Sequence, residues 1–132
     1  MKGLDTNVLV RYLVKDDRKQ GEMASRYIQM AANSGEKCFI NCIVLCELVW
    51  VLDSAYGFAK EQIVEVLEKL FVTKQIDIER KDVARQALQD YKNGKGDIAD
   101  YLVGRINQAH GCDTTATFDK VLKKSTMFHL LG

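Results

Sequence analysis

The chain has 132 residues, of which 47% are hydrophobic and 28% charged, and this suits a single globular domain, residues 1–132, with a core of its own. Its formal net charge of +1 excludes a chain-wide basic field, so an anionic macromolecule would have to be met by a local patch. No apolar run is long enough to span a bilayer, and charged residues come too early for a secretory signal, so we expect a cytoplasmic protein.

Short apolar runs alternate with amphipathic segments along the chain, and this alternation predicts an α/β fold. We expect a central, mostly parallel sheet of about four to five strands flanked by helices. In chain order the pattern predicts a strand at 1–4, helices at 6–14 and 17–33, a strand at 37–40, helices at 43–56 and 59–72, a strand at 75–78, helices at 82–91 and 97–110, a strand at 113–118, a helical turn at 120–123 and an edge strand at 126–130.

The sequence also predicts how individual helices begin and which faces they bury. Thr6 is expected to be the N-cap residue of the first helix, because its hydroxyl can accept a hydrogen bond from a backbone N–H of the first turn. On the second helix, the spacing of Met23, Tyr27, Met30 and Ala31 predicts a face turned toward the core.

Glu47 lies in the third predicted helix, with apolar neighbours at positions 43, 44, 48 and 51. A helix that is apolar nearly all round is expected to be buried, and an ionised carboxylate there is costly unless it is paired or bound to a metal. The simpler alternative is a buried ion pair with one of the chain's arginines. The segment itself offers no basic residue, which favours the metal.

Four aspartates stand at strand ends or helix starts. Asp5 ends the first strand and Asp119 follows the fourth, where open parallel sheets bind their ligands. Asp97 and Asp100 are three residues apart in the first turn of the sixth helix, near one face of it. For each aspartate taken alone, capping of helix N–H groups is an equally simple explanation.

Together these carboxylates suggest a cation site. Grouped carboxylates repel one another without a counter-ion, and all-oxygen ligands suit Mg²⁺ or Mn²⁺ better than Zn²⁺. Such a site is suited to the hydrolysis of phosphodiesters. The four cysteines offer no competing zinc site, since they contain no CxxC pair and the two histidines lack ligand spacing with them, so buried thiols are expected.

Four segments in this order resemble the PIN-domain family, and within it the VapC toxins of bacterial toxin–antitoxin pairs. They are residues 4–10 (LDTNVLV), 44–52 (VLCELVWVL), 96–103 (GDIADYLV) and 117–119 (TFD), each carrying one of the family's acids. The resemblance covers essentially the whole chain. One departure is that the family often has a proline just before the helix that carries the second acid, where Asn41 and Cys42 stand here.

The resemblance implies a PIN-like fold and a metal-dependent endoribonuclease that uses Mg²⁺ or Mn²⁺. It also implies a homodimer, a cognate VapB-like antitoxin that neutralises the protein, and an RNA substrate, frequently tRNA. The implied site consists of catalytic Asp5, Glu47, Asp100 and Asp119, with Asp5 and Asp100 as metal ligands, and auxiliary Asn7, Asp97 and Thr117.

Positive charge near the acids is expected to contact RNA phosphates. Five basic residues follow the first and the last acid in sequence, namely Arg11, Lys15, Lys120, Lys123 and Lys124. Solvated surface charges are the simpler explanation for the lysines. Large aromatic side chains, among them Tyr27 and Trp50, either pack inward or form a partner surface, and for Trp50 the core is the more common place.

Other functions remain open from the residues alone. One is a PIN nuclease in RNA processing that has no antitoxin, and another is a non-catalytic binding module with a PIN fold. A third is a phosphatase or phospho-acceptor domain with Asp5 as the nucleophile, which is weakened because no second aspartate stands two residues further on.

Overall fold

A three-stranded parallel sheet organises the first of two compact units, Met1–Glu79. The computed structural model describes residues 1–132, and in this unit the strands follow the order β1-β2-β3, with Lys2 opposite Cys38 and Cys38 opposite Ile76. The elements are β1 (Lys2–Gly3), α1 (Thr6–Val14), α2 (Arg18–Asn33), β2 (Cys38–Ile40), α3 (Cys42–Ser54), α4 (Lys60–Phe71) and β3 (Ile76–Ile78).

The second unit, Arg80–Gly132, consists of two packed helices and a two-stranded parallel sheet. Its elements are α5 (Lys81–Asn93), α6 (Ile98–Ala109), β4 (Thr115–Thr117), a 3-10 turn (Lys120–Leu122) and β5 (Phe128–Leu130). In the sheet, Thr115 lies opposite Phe128 and Thr117 opposite Leu130.

The predicted α/β class is confirmed, and every predicted element is present in the predicted order. All strand pairs are parallel, as expected, but the five strands form two sheets, of three and of two strands, rather than one central sheet. None of the six helices is long and apolar enough to cross a membrane. A single domain over residues 1–132 stays a prediction.

Helix α2 buries a different face from the predicted one. Met23, Tyr27 and Met30 are exposed, by 58%, 46% and 65%, so the prediction is wrong for all three, although Ala31 is buried as expected. A Cβ at Gly21 would lie 3.3 Å from the backbone oxygen of Arg11, which shows how closely α1 and α2 approach. The stripe that allows this approach is built mainly from small residues, namely Gly21, Ala24, Ile28 and Ala31.

The cysteines follow the expectation only in part. None forms a disulfide, and Cys38 is fully buried in β2, where burial raises the pKa of its thiol. Cys42 and Cys46 are half-buried and Cys112 is exposed. The prediction of burial is therefore wrong for Cys112, which follows the exposed C-terminal end of α6.

A polar network ties the end of α1 to the segment that follows α3. The Tyr56 hydroxyl donates to Asp16 Oδ2 at 2.9 Å, while Arg11 donates to Asp16 Oδ1 at 3.1 Å and to Gln20 Oε1 at 2.7 Å. The hydrogen bond from Tyr56 is the main reason that the pKa of Asp16 lies below its usual value, and the same bond raises the pKa of Tyr56.

This network predicts how acid affects the stability of a Tyr56→Phe variant. Because the pKa of Asp16 is lowered by folding, its contribution is present above the pKa it has in the unfolded chain, and is lost as pH falls through the lowered value. Tyr56→Phe should therefore lower the unfolding temperature at neutral pH, and the difference from wild type should shrink below about pH 4.

Thermal unfolding followed at several pH values measures this difference. Tyr27→Phe is the matched control, since Tyr27 is exposed on α2 and loses the same hydroxyl group. An unfolding temperature of Tyr56→Phe that stays equally far below wild type at all pH values would show that the ionised Asp16 is not the partner that matters.

Candidate carboxylate site

Asp5 stands two residues after the end of β1 and is the N-cap residue of α1. Its Oδ1 accepts a hydrogen bond from the backbone N–H of Asn7 at 2.7 Å. The prediction that Thr6 caps this helix is wrong, because Asp5 already supplies the extended backbone and the accepting oxygen that an N-cap needs. Capping fixes the carboxylate at the end of the strand, while its Oδ2 has no partner within the protein.

The hydroxyl of Thr6 has a different role from the predicted one. Thr6 Oγ1 donates to Glu47 Oε1 at 2.7 Å, which joins the start of α1 to the middle of α3. Residues on both helices, among them Asp5, Asn7 and Glu47, line one cavity of about 320 Å³. The structure therefore brings the first two predicted acids and the auxiliary Asn7 to the same cavity.

Glu47 is exposed, so the prediction that it is a buried carboxylate is wrong. Helix α3 buries Leu45, Leu48 and Leu52 on one side, but Ile43 and Trp50 on the other side are exposed by 72% and 49%. For Trp50 the sequence left the core and a partner surface open, and the structure places its side chain at the surface. Apolar composition alone could not show that this helix has a free face, and Glu47 therefore does not need a metal to be tolerated.

The acids of the second unit lie at the start of α6. Asp97 is the N-cap residue, and its Oδ1 accepts from the backbone N–H of Ile98 at 2.8 Å. Asp100 completes a capping box, because its Oδ2 accepts from the backbone N–H of Asp97 at 2.9 Å. The two carboxylates, both half-buried, are thereby held at one helix end, as the three-residue spacing predicts.

Asp119 caps the 3-10 turn that follows β4. Its Oδ1 accepts from the backbone N–H of Val121 at 2.9 Å, and its own N–H donates to Thr117 Oγ1 at 3.0 Å. The Thr117 hydroxyl thus holds the backbone of Asp119. This contact still fixes the residue that carries the acid.

A shared geometry emerges from the four acids predicted to be catalytic. Asp5, Glu47, Asp100 and Asp119 each use one carboxylate oxygen in a hydrogen bond within the protein and keep the other available. None of them forms an ion pair with a lysine or arginine. An oriented carboxylate with one open oxygen and no protein counter-charge fits a hard divalent cation.

Donor chemistry in each unit is consistent with that cation. Within each unit, no three His, Cys, Asp or Glu side chains gather closely enough to form a metal site. The oxygens available are carboxylates, the Thr6 hydroxyl and the Asn7 amide, which suit Mg²⁺ or Mn²⁺ better than Zn²⁺.

The basic residues predicted to contact RNA differ in how far they are available. Arg11 is half-buried and held by Asp16 and Gln20, so its guanidinium has a structural role that the sequence did not reveal. Lys15 is exposed, with left-handed backbone (φ 59°) at the C-cap of α1. The remaining three, Lys120, Lys123 and Lys124, are exposed around the 3-10 turn.

Two features of the site were missed by sequence reasoning. One is the role of Thr6 as a partner of Glu47, which no local signal reveals because the residues are 41 positions apart. The other is Asn41, which caps α3 by accepting from the backbone N–H of Val44 at 2.9 Å. Asn41 is an N-cap type that could have been found from its place before the apolar run.

Comparison with known proteins places the chain in a class. Its sequence matches the PIN domain family over residues 3–125, a range that includes all the acids described above. The chain therefore belongs to the PIN-domain family, and its α/β fold with parallel strands is of the PIN-like type.

Within that family it is similar to the VapC ribonuclease of Aquifex aeolicus (strain VF5). The two sequences are 30% identical over 124 residues, which is 94% of this chain and 91% of the relative. The similarity therefore extends over nearly the whole length of both proteins.

Proposed function

We propose that this protein is a metal-dependent endoribonuclease and the toxin of a VapBC-type toxin–antitoxin pair. The observation that carries the proposal is the cavity of the first unit, at which Asp5 and Glu47 each present an oxygen without a protein partner. Membership of the PIN-domain family and similarity to a VapC ribonuclease support the reaction class.

Each acid has a proposed role. Asp5 and Asp100 are the metal ligands, and Glu47 and Asp119 hold and orient water, one of them the attacking water. Asp97 is auxiliary, because its capping box positions Asp100. Asn7 and Thr117 act through the backbone and side-chain contacts that hold Asp5 and Asp119.

The chemistry that Mg²⁺ or Mn²⁺ supplies when bound is activation of water and neutralisation of phosphate charge. The protein's own contribution is to keep the carboxylates oriented. Asp5 is held by its backbone bond and Glu47 by the Thr6 hydroxyl, so little reorganisation is needed when the substrate phosphate arrives.

Exposed lysines supply the proposed contacts to RNA. Lys120 follows Asp119 directly, and Lys123 and Lys124 stand shortly after it. Their charges would lie along an RNA strand that passes this acid. Arg11 is now a weaker candidate, because breaking its bonds with Asp16 and Gln20 would oppose any contact with RNA.

An antitoxin has a suitable surface next to Asp5. A groove of about 540 Å³ between α1 and α2 is lined by Asp5 and Asn7 at one side and by the exposed Met23 and Tyr27 at the other. We propose that the antitoxin covers the exposed Met23 and Tyr27 in this groove. We also propose that the exposed face of α3 around Trp50 contacts a second copy of the protein in a homodimer.

Cleavage of total RNA by the purified protein tests the proposed function. New 5′ ends should appear with Mn²⁺ and not with EDTA, and expression in a bacterial host should arrest growth unless an upstream small open reading frame is co-expressed. Cleavage without growth arrest would favour an RNA-processing nuclease that has no antitoxin. An absence of new 5′ ends with both Mn²⁺ and Mg²⁺ would favour a binding module.

The bond between Thr6 and Glu47 makes a separate prediction. Thr6→Val keeps the shape of the side chain but removes the donor, so we expect the cleavage rate to fall by about tenfold with little change in KM. Thr6→Ser restores the hydroxyl and should recover most of the rate. Equal losses in both variants would mean that packing, and not the hydrogen bond, is what Glu47 needs.

A further inference from the structure

A second polar cavity, of about 550 Å³, lies within the unit Arg80–Gly132. It is bounded by the end of α5, the loop 94–96, α6 and the segment 121–127. Tyr101 and Met127, both buried, contribute the apolar part of its wall. Of the five basic residues singled out from the sequence, only Lys124 lines this cavity. None of the candidate catalytic acids lines it.

Positive charge dominates this cavity. Its charged lining residues are Lys95, Lys124, Arg105 and Asp90. Asp90 is neutralised by Arg105, whose Nε and Nη2 donate to the two carboxylate oxygens at 2.7 and 2.9 Å. Lys95 and Lys124 have no acidic partner in the protein, so the cavity keeps two uncompensated positive charges.

The two lysines project from segments whose backbone is held in place. Next to Lys95, the N–H of Gly96 donates to the buried Tyr101 hydroxyl at 3.0 Å. Next to Lys124, the N–H of Ser125 donates to the carbonyl oxygen of Leu122 at 3.0 Å. The charges are thus presented from two ordered walls, although the lysine side chains themselves are exposed.

Hydroxyl groups on the wall that carries Lys124 add hydrogen-bond donors. Ser125 and Thr126 line the cavity, and Ser125 Oγ already accepts from the Met127 N–H at 3.4 Å, which leaves its hydroxyl proton for a ligand. Two ammonium groups on separate walls, with two hydroxyls beside one of them, suit an oxyanion that accepts from several directions, as a phosphate does.

The position in the chain indicates which phosphate this is. Lys95 stands two residues before Asp97, and Val121, another lining residue, stands two residues after Asp119. RNA carries a negative charge on every nucleotide, so protein cations that meet the phosphates flanking a cleaved bond add to its affinity. Both acid-bearing segments of this unit lead directly into the cavity that has such cations.

We propose that the cavity between Lys95 and Lys124 binds one backbone phosphate of the RNA substrate, at a nucleotide flanking the one that is cut. The inference rests on the proposed ribonuclease function, and it adds Lys95, which sequence patterns did not single out, to the residues that contact RNA. The paired Arg105 and Asp90 support the wall and stay bound to each other.

Binding of a short, fluorescently labelled single-stranded RNA in EDTA tests the proposal without cleavage. Anisotropy titrations between about 50 and 200 mM salt give the slope of log affinity against log salt. Loss of one phosphate contact should reduce that slope by about 0.7 in Lys95→Ala/Lys124→Ala. Lys37→Ala/Lys74→Ala is the matched control, because it also removes two exposed lysines, and its slope should stay at the wild-type value.

Inorganic phosphate provides a second readout that does not depend on RNA. In the wild-type protein, a phosphate titration should shift the amide resonances of Gly94, Gly96 and Ser125 in a saturable way, and these shifts should disappear in the Lys95/Lys124 double variant. Shifts of equal size in both proteins would overturn the proposal, as would a double variant whose salt slope equals that of the control.

The outcomes separate this proposal from the proposed function. Cleavage by the wild-type protein together with an unchanged salt slope would leave the ribonuclease standing and remove the phosphate subsite. Saturable phosphate shifts in a protein that neither binds nor cuts RNA would overturn both the function and the assignment of the cavity to RNA. Poly-glutamate is titrated against both proteins as a further control. If the Lys95/Lys124 double variant lost poly-glutamate binding but kept RNA binding, the cavity would be assigned to an acidic peptide instead.

Discussion

Asp5→Asn is expected to reduce RNA cleavage by at least about a hundredfold and to change the free energy of unfolding by less than about 1 kcal/mol. Asp5 Oδ1 caps α1 through the N–H of Asn7 at 2.7 Å, and asparagine caps helices about as well as aspartate does. The substitution therefore keeps the structural role of the residue and removes only its negative charge. The loss of activity is then attributable to the chemistry of the carboxylate.

A matched control exists in the same unit. Asp17 caps α2 by accepting from the backbone N–H of Gln20 at 2.9 Å, so Asp17→Asn makes the same chemical change at the same kind of position. Its cleavage rate should equal that of the wild type. Rates from the mapped RNA ends and unfolding free energies from denaturant titrations should be measured for both variants, and full activity of Asp5→Asn would remove Asp5 from the mechanism.

The same pair of variants addresses the two explanations that the sequence left open for each aspartate, capping and metal binding. Asp5, Asp97 and Asp119 all cap a helix or helical turn, so the capping explanation is confirmed for these three. Capping and metal binding do not compete, because the cap uses one oxygen and orients the other. At the N-terminus of a helix that follows a strand, a carboxylate can therefore both cap the helix and bind a metal.

Local signals were enough to predict the order of the elements and the positions of the acids. Asp5 and Asp119 were placed correctly because strand ends and helix starts depend on neighbouring residues, as the caps at 2.7 and 2.9 Å show. The pair Asp97 and Asp100 was placed correctly because a three-residue spacing has one meaning in a first helical turn.

Features that depend on distant parts of the chain were not predictable in the same way. Helix α2 buries a row of mainly small residues because α1 approaches it closely at Gly21. The sequence of α2 alone does not indicate that approach. Glu47 and Trp50 are exposed because the apolar side of α3 that faces the core is the one with Leu45, Leu48 and Leu52. Periodicity cannot choose a face when a helix is apolar all round.

Gly94→Ala is expected to destabilise the protein by about 2–3 kcal/mol, the largest effect of any glycine substitution in the chain. This glycine is the C-cap residue of α5, but its backbone is extended (φ −111°), a conformation open to any residue. The requirement for glycine is spatial. An added Cβ would lie 2.9 Å from the backbone oxygen of Asp90 and 2.9 Å from Cζ of the buried Tyr101.

Neither neighbour can move at low cost. The Asp90 oxygen belongs to the backbone at the end of α5, and displacing Tyr101 would break the bond that its hydroxyl accepts from Gly96 at 3.0 Å. Gly96→Ala should cost less, since its tightest contact, 2.7 Å, is with the end of the Leu122 side chain. Gly3→Ala, whose Cβ meets nothing within 4 Å, is the neutral control, and denaturant unfolding of the three variants should rank them in this order. If Gly94→Ala unfolded at the same denaturant concentration as Gly3→Ala, the packing of Tyr101 against residue 94 would not contribute to stability.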